Sequence, residues 1–145
     1  MALPEIATPT YTLTVPSTKK KVKYRPFLVK EQKLLILALE NDDQEQILDA
    51  ITNTIRNCLI TKVNVADLAL FDIEYLFLQI RARSMSEEIE MKVTCADDGK
   101  TTVDVKFMVN DVKVSFPKGH TNIIKLNDEI TVEMKYPDIE YFTKV

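Results

Sequence analysis

The N-terminal part of the chain shows an alternation of polar and apolar side chains that is typical of β-strands. Residues 10–15 read Thr-Tyr-Thr-Leu-Thr-Val, and these β-branched and aromatic types favour a half-buried strand. After a short break the alternation resumes over residues 21–24, where Val22 and Tyr24 lie opposite the lysines. This pattern predicts an N-terminal β-hairpin, which Pro26 ends because proline cannot donate to a strand ladder.

The middle of the chain predicts three helices. Residues 30–40 lack Gly and Pro, contain strong helix formers and carry a broad apolar face, which favours a helix. Residues 44–60 place apolar side chains along one helical stripe, and Asp42 with Glu45 predicts a cap at its start. A third helix, over residues 67–83, has apolar residues on more than one side, so we expect it to lie centrally.

Helical geometry divides the apolar residues of the third helix between two sides, since each residue turns the helix by about 100°. The two clusters are Phe71, Tyr75 and Leu78, and Ile73, Phe77 and Ile80. We expect one cluster to pack in the core and the other to lie under the β part or at an interface. Arg81 and Arg83 are expected to anchor the exposed C-terminal end of this helix, where cations favour the helix dipole.

The last third of the chain alternates again and predicts four strands. Their apolar positions fall in residues 88–94, 102–109, 112–116 and 130–134. We therefore predict an α+β fold with an N-terminal β-hairpin, a three-helix middle and a four-stranded, antiparallel C-terminal β-meander. Residues 1–145 are predicted to form a single domain with a hairpin arm (1–29), a helical part (30–84) and a β part (88–137).

Composition excludes several kinds of chemistry. Hydrophobic residues make up 46% and charged residues 28% of the 145 positions, which indicates a folded and not a disordered chain. The only two glycines, Gly99 and Gly119, are too few for a glycine-rich phosphate loop, and the single histidine, His120, excludes the usual two-histidine zinc site. We expect no cofactor and no small-molecule substrate.

The two cysteines form neither a catalytic nor a metal-binding pattern. Cys58 lies in the apolar stripe of the second helix and His120 in a predicted loop, so we expect no Cys–His dyad. The sequence from Cys95 to Gly99 has the outline of a zinc knuckle, but Asp98 stands where the second thiolate would be. We expect two free thiols, a plain hairpin turn at residues 97–100, no metal and no catalysis.

Positive charge is concentrated in the N-terminal hairpin, although the net charge is only −3. The basic side chains there are Lys19, Lys20, Lys21, Lys23 and Arg25. They are either a solvated edge that discourages strand aggregation or a docking site for an acidic partner. Nucleic acid is disfavoured because aromatic residues do not alternate with these basic ones.

Nothing in the sequence predicts a membrane segment or export. The longest uncharged apolar run, residues 34–39, is far shorter than the ~20 residues that a spanning helix needs. The first residues lack the basic and apolar regions of a signal peptide. Because two widely spaced cysteines make no disulfide framework, we expect synthesis in a reducing cytosol.

Two longer segments carry polar residues at positions that periodicity does not explain. Residues 23–35 read KYRPFLVKEQKLL and residues 71–84 read FDIEYLFLQIRARS. Together with Cys95 at a turn and MKYP at residues 134–137, they resemble the baseplate hub and hub-assembly proteins of contractile-tailed, T-even-like bacteriophages. The family-like positions are Tyr24, Arg25, Pro26, Phe27, Glu31, Asp72, Glu74, Arg81, Ser84 and Cys95. Such relatives carry a second cysteine three positions after the first, where this chain has Asp98, so a metal knuckle is not carried over.

The resemblance implies a non-enzymatic protein of the baseplate hub, or a chaperone-like factor that helps the hub to assemble. Its partners would be other baseplate hub or tail proteins, or a second copy, in the host cytoplasm during assembly or in the tail baseplate. Candidate contacts are the basic hairpin residues and Phe71, Tyr75, Arg81 and Arg83 of the third helix. The alternative is a small cytosolic adaptor that binds an acidic protein or nucleic acid through its lysine-rich hairpin.

Overall fold

Residues 7–41 and 43–143 are described by a computed structural model of the chain. The N-terminal hairpin consists of β1 (Tyr11–Thr14) and β2 (Lys21–Tyr24), and the helical middle of α1 (Val29–Glu40), α2 (Gln44–Cys58) and α3 (Leu70–Ser84). The C-terminal part contains β3 (Glu88–Thr94), β4 (Thr102–Met108), β5 (Ile123–Lys125), β6 (Thr131–Glu133) and the short helix α4 (Ile139–Thr143). The predicted α+β class, with a hairpin, a helical middle and an antiparallel C-terminal β part, is confirmed.

The side chains of the hairpin face the sides that the alternation predicts. β1 and β2 are antiparallel, with Leu13 opposite Val22 and Tyr11 opposite Tyr24. Val22 and Tyr24 are buried, whereas Lys21 and Lys23, which alternate with them, are exposed. The ring centres of Tyr11 and Tyr24 lie 5.7 Å apart, so the hairpin presents one continuous apolar face to the helices.

The hydrophobic core lies where the hairpin, α2 and α3 meet. α3 supplies its centre, because Ile73, Leu76 and Ile80 are almost completely buried. α2 contributes Ile55 and Cys58, which are also fully buried. The remaining buried members of the core are Val15, Val22, Tyr24, Phe27, Val65 and Leu68. The central position predicted for the third helix is therefore confirmed.

The start of α3 differs from the prediction. The helix begins at Leu70 and not at Asp67, because Val65–Asp67 form a separate 3₁₀ turn and Ala69 has an extended backbone. The N–H of Leu70 donates to the carbonyl of Pro137 at 3.1 Å. This hydrogen bond holds the C-terminal part of the chain against the start of α3.

Both ends of α2 are set by polar contacts. Asp43 caps the helix, since its carboxylate accepts a hydrogen bond from the backbone N–H of Glu45; the predicted cap, Asp42, lies outside the described residues. α2 ends two residues before its predicted end at residue 60. The reason is that the N–H of Ile60 donates to the carbonyl of Lys23 at 2.9 Å and extends the hairpin sheet.

The C-terminal strands pair differently from the predicted four-stranded meander. Within the described ranges, β3 pairs with β4 and β5 pairs with β6, as two separate antiparallel ladders. The predicted strand at residues 112–116 does not form. Instead, its Phe116 packs edge-on against Phe71 of α3, with ring centres 6.1 Å apart. β6 finds its partner in β5, whose Ile-Ile-Lys sequence does not alternate and was not predicted as a strand.

Candidate functional site

α1 exposes apolar side chains on several of its sides. Val29, Leu34, Ile36, Leu37 and Leu39 are each between 47% and 79% exposed. The buried residues of this helix are Glu31 and Ala38. A helix that is apolar all round is normally enclosed by protein. α1 therefore carries an apolar surface that the described part of the chain does not cover.

An apolar groove of about 300 Å³ lies beside α1. Residues of α1, of the first half of α2 and of the second half of α3 line it. The main apolar lining residues are Phe27, Leu35, Leu39, Ile51, Phe77 and Met85. Arg81 also lines this groove, which we call the α1 groove. The groove and the exposed residues of α1 form one candidate docking surface.

Glu31 fixes the start of α1. Its carboxylate accepts hydrogen bonds from the backbone N–H of Leu28 at 2.8 Å and from Nη2 of Arg25 at 3.0 Å. Burial acts to raise the pKa of Glu31, but these hydrogen bonds outweigh it and hold the pKa below its ordinary 4.5. Arg25 also donates from Nη1 to the carbonyl of Pro26 at 2.9 Å. These hydrogen bonds therefore hold the start of α1 in place at the end of the hairpin.

The two family-like segments meet beside the groove, a contact that the sequence patterns did not predict. Oγ of Ser84, at the end of α3, accepts from the N–H of Phe27 at 2.9 Å and donates to the carbonyl of Ile80 at 2.6 Å. Tyr24 is buried next to Arg83, and burial raises the pKa of its phenol above 10.0 although Arg83 acts to lower it. The polar residues of both segments thus join the hairpin, α1 and α3.

The two clusters predicted for α3 lie in different surroundings. Ile73 is buried in the core, whereas Phe77 contacts both the core and the α1 groove. On the other side, Phe71 packs at right angles to Tyr136, with ring centres 5.0 Å apart. Tyr75 is half-buried. Phe71, a candidate partner contact, is therefore partly covered by the C-terminal part of its own chain.

The polar residues of α3 have well-defined contacts. The buried carboxylate of Asp72 accepts hydrogen bonds from both the N–H and the Oγ of Ser17, with the N–H contact at 3.0 Å. Near the other end of the helix, Arg83 forms an ion pair with Glu87. The guanidinium of Arg83 also lies 5.1 Å from the ring centre of Tyr11. α3 is thus tied to the hairpin at both ends.

The basic hairpin residues divide into two groups. Lys19, Lys20, Lys21 and Lys23 are exposed, and in the described parts of the chain none of them forms an ion pair. Arg25 does not belong to this exposed patch, because it pairs with the buried Glu31. The ammonium group of Lys19 lies 4.9 Å from the ring centre of Phe116. The basic patch of the hairpin therefore consists of these four exposed lysines.

The surroundings of Cys58, of Cys95 and of the turn after β3 are explained by burial and by hydrogen bonds within the fold. Cys58 is buried, and this burial raises the pKa of its thiol to about 11. Cys95 donates its N–H to the carbonyl of Thr101 at 2.8 Å across the predicted hairpin turn, which is confirmed. Hydrogen bonds from Thr101 and from the N–H of Lys100 lower the pKa of Asp98 to about 2, so its carboxylate stabilises the turn.

The described ranges contain no group of three or more His, Cys, Asp or Glu side chains arranged to hold a metal ion. No helix in them has both the length and the apolar character that a bilayer crossing demands. The expected absence of metal, cofactor and catalysis stays a prediction.

Comparison with known proteins shows to which family the chain is similar. A family model described as T4 bacteriophage base plate protein matches residues 8–145. The match covers the hairpin, the α1 groove and both family-like segments. No curated protein and no solved structure matches the chain significantly.

Proposed function

The chain belongs to the family of the T4 bacteriophage base plate protein, and from this membership we propose that it acts, without catalysis, in the assembly of the central hub of the baseplate. Membership makes it a phage baseplate protein, whose partners are other phage structural proteins. The resemblance of residues 23–35 and 71–84 to hub and hub-assembly proteins supports the hub as its place. In this proposal it works in the host cytoplasm during assembly, as a hub component or as an assembly chaperone.

The observation that carries a binding role is the uncovered apolar surface of α1. Complete burial of a Leu or Ile side chain contributes about 1.5–3 kcal/mol. A partner that covers the five exposed apolar side chains of α1 therefore gains on the order of 5 kcal/mol, before the cost of association. Exposed apolar side chains concentrated on one helix are typical of sites of protein–protein contact. The uncovered apolar surface of α1 therefore supports a role in which other proteins bind to this helix and cover it.

Substitutions on α1 test this role. Ile36→Gln and Leu39→Gln variants, co-expressed with the hub proteins of the same phage, should stay folded because both side chains are exposed, yet they should no longer co-purify with those proteins. Ile60→Gln is the matched control, since Ile60 is 51% and Ile36 49% exposed and Ile60 does not line the groove. Undiminished co-purification of the folded α1 variants would contradict the proposal.

A separate measurement distinguishes a hub component from an assembly chaperone. Mass spectrometry of purified phage particles detects the chain in stoichiometric amount if it is a component. If it is a chaperone, the chain is absent from finished particles, and its deletion leaves hubs incomplete. Normal hubs assembled after deletion of the chain would contradict both forms of the proposal.

The four-lysine patch supports a second candidate, an adaptor for an acidic protein or a nucleic acid. The observation that favours it is the lack of ion pairs to these lysines among the described residues. Binding to phosphates weakens steeply with salt because counterions are released, whereas an apolar contact is much less sensitive. A steep salt dependence that Lys20→Ser and Lys21→Ser remove would favour the adaptor over the α1 surface.

A further inference from the structure

Arg81 brings to the α1 groove a guanidinium whose Nη1 has no acceptor among the described residues. The residue lies in the last turn of α3 and lines the groove. Its Nη1 is buried, and among the described residues it has no hydrogen-bond partner. Nearby arginines are satisfied, since Arg25 pairs with Glu31 and Arg83 with Glu87. Of these three arginines, Arg81 is therefore the one that pairs with no carboxylate in the described part of the chain.

A buried donor without an acceptor lowers stability, because the desolvation of the group is not compensated. An acceptor that arrives from outside the chain removes this cost. The planar fork of a guanidinium matches the two oxygens of a carboxylate, and such charge-assisted pairs are roughly twice as strong as neutral hydrogen bonds. The groove therefore favours a ligand that brings a carboxylate.

The shape of the groove limits the rest of the ligand. Its volume of about 300 Å³ is about twice that of an apolar cavity that takes one benzene molecule, so it has room for roughly two apolar side chains. α1 has 12 residues and is about 18 Å long, which suits a helix of about three turns laid beside it. Amphipathic helices occupy such grooves with apolar side chains spaced three or four residues apart.

We propose that the α1 groove binds an amphipathic helix of another baseplate protein, with two apolar side chains in the cavity and an Asp or Glu on Arg81. Seating the carboxylate turns the guanidinium towards the groove, so that Nη1 gains the acceptor it lacks. The exposed Leu34 and Leu37 of α1 extend the contact beyond the groove. This inference rests on the proposed function, since it names the chemistry of the partner that α1 binds.

A different protein fits the groove better than a second copy of this chain. Of the described helices, α2 and α3 bury apolar faces in their own core, and α4 has only five residues. α1 has two acidic residues, but Glu31 is buried against Arg25 and Glu40 is the last residue of the helix. None of these helices combines an uncovered apolar stripe with a carboxylate in its middle.

Arg81→Met tests the carboxylate contact, because Met keeps much of the length and apolar packing but removes the charge. In the free protein the variant should have an unchanged or higher Tm, since it removes a buried unpaired donor. In the complex with the hub protein that co-purifies, its affinity should be lower by roughly 30-fold or more. Arg83→Met is the matched control, and its affinity should stay within about twofold, because Arg83 does not line the groove.

Photocrosslinking identifies the occupant directly. A benzoylphenylalanine placed at position 35 of the chain, in the complex with co-expressed baseplate proteins, is irradiated, and the crosslinked peptide is read by mass spectrometry. We expect a segment with apolar residues at helical spacing and an Asp or Glu three or four positions away. Replacing that acid by Arg should restore binding to an Arg81→Glu variant. A crosslink to a second copy, to a segment without an acid, or to nothing in an intact complex would overturn the inference.

The variants separate this inference from the proposed function. If Ile36→Gln abolishes co-purification while Arg81→Met leaves the affinity unchanged, the groove binds a partner without a carboxylate, and the inference alone fails. If neither variant changes co-purification, the binding role of the α1 surface fails as well. A fall in Tm for Arg81→Met with unchanged affinity would assign Arg81 to the fold and overturn the inference.

Discussion

At the scale of single residues, one buried carboxylate holds the hairpin loop on α3. Asp72 accepts hydrogen bonds from both the N–H and the hydroxyl of Ser17. Because a hydrogen bond to a charged group contributes about 1.5–3 kcal/mol, Asp72→Ala should lower the free energy of unfolding by about 2–4 kcal/mol in urea denaturation. Glu74→Ala, at an exposed position of the same helix, should change it by less than about 0.5 kcal/mol. Equal losses of stability in the Asp72→Ala and Glu74→Ala variants would contradict the role assigned to Asp72.

Glu31 makes the stability of the fold depend on pH. Its pKa lies below the ordinary 4.5 in the folded protein, so its ionised form stabilises the fold above that pH, and this contribution is lost as the pH falls through the lowered pKa. Glu31→Gln should therefore reduce stability at neutral pH by on the order of 1–3 kcal/mol. The difference from the wild type should shrink as the pH falls from about 5 to about 3. A constant difference in Tm over that range would show that the ionisation of Glu31 does not contribute.

At the scale of elements, α3 has one side in the core and another under the C-terminal part. Leu76 is fully buried, so Leu76→Ala should cost about 2–5 kcal/mol. Phe71→Ala should cost less, because Phe71 is half-buried and contacts the rings of Phe116 and Tyr136. Thermal unfolding combined with co-purification checks both: Phe71→Ala should stay bound to hub proteins. Loss of binding by a folded Phe71→Ala variant would place the partner surface on that side of α3.

Periodicity predicted correctly the elements in which the apolar positions of the sequence pattern are buried in the structure. The hairpin and the helices appear because Val22 and Tyr24, or Ile73 and Ile80, face one shared core. The C-terminal strands follow periodicity less closely, since their side chains are mostly exposed. There the alternation over residues 112–116 ends in an aromatic contact and not in a ladder. Local pattern cannot tell these outcomes apart, because both depend on distant residues.

The candidate site was only partly accessible to sequence reasoning. The lysines of the hairpin and the arginines of α3 were recognised as candidates from charge and helix position. The α1 groove was not, because its walls come from three helices that are separate in the sequence. A signal was present in the uncharged run at residues 34–39, which places apolar side chains on every side of α1. Similarly, the missing acceptor of Arg81 is a property of packing that no spacing reveals.

At the scale of the whole molecule, one part of the chain buries its apolar residues and another part exposes them. The hairpin, α2 and α3 bury their apolar residues, whereas α1 and the C-terminal strand pairs leave many in solvent. Exposed apolar residues of the strand pairs include Met91, Val93, Val103, Ile123 and Ile124. Such a distribution is typical of a protein that is surrounded by others. It agrees with membership of a baseplate family.

Hydrogen–deuterium exchange of the complex tests the central claim most directly. The amides of α1 and of the groove residues of α2 and α3 are compared between the free chain and the chain bound to co-purified hub proteins. We predict slower exchange throughout residues 29–40 on binding, because the partner covers α1. Unchanged exchange in α1, together with protection at the lysine hairpin or elsewhere, would contradict the account.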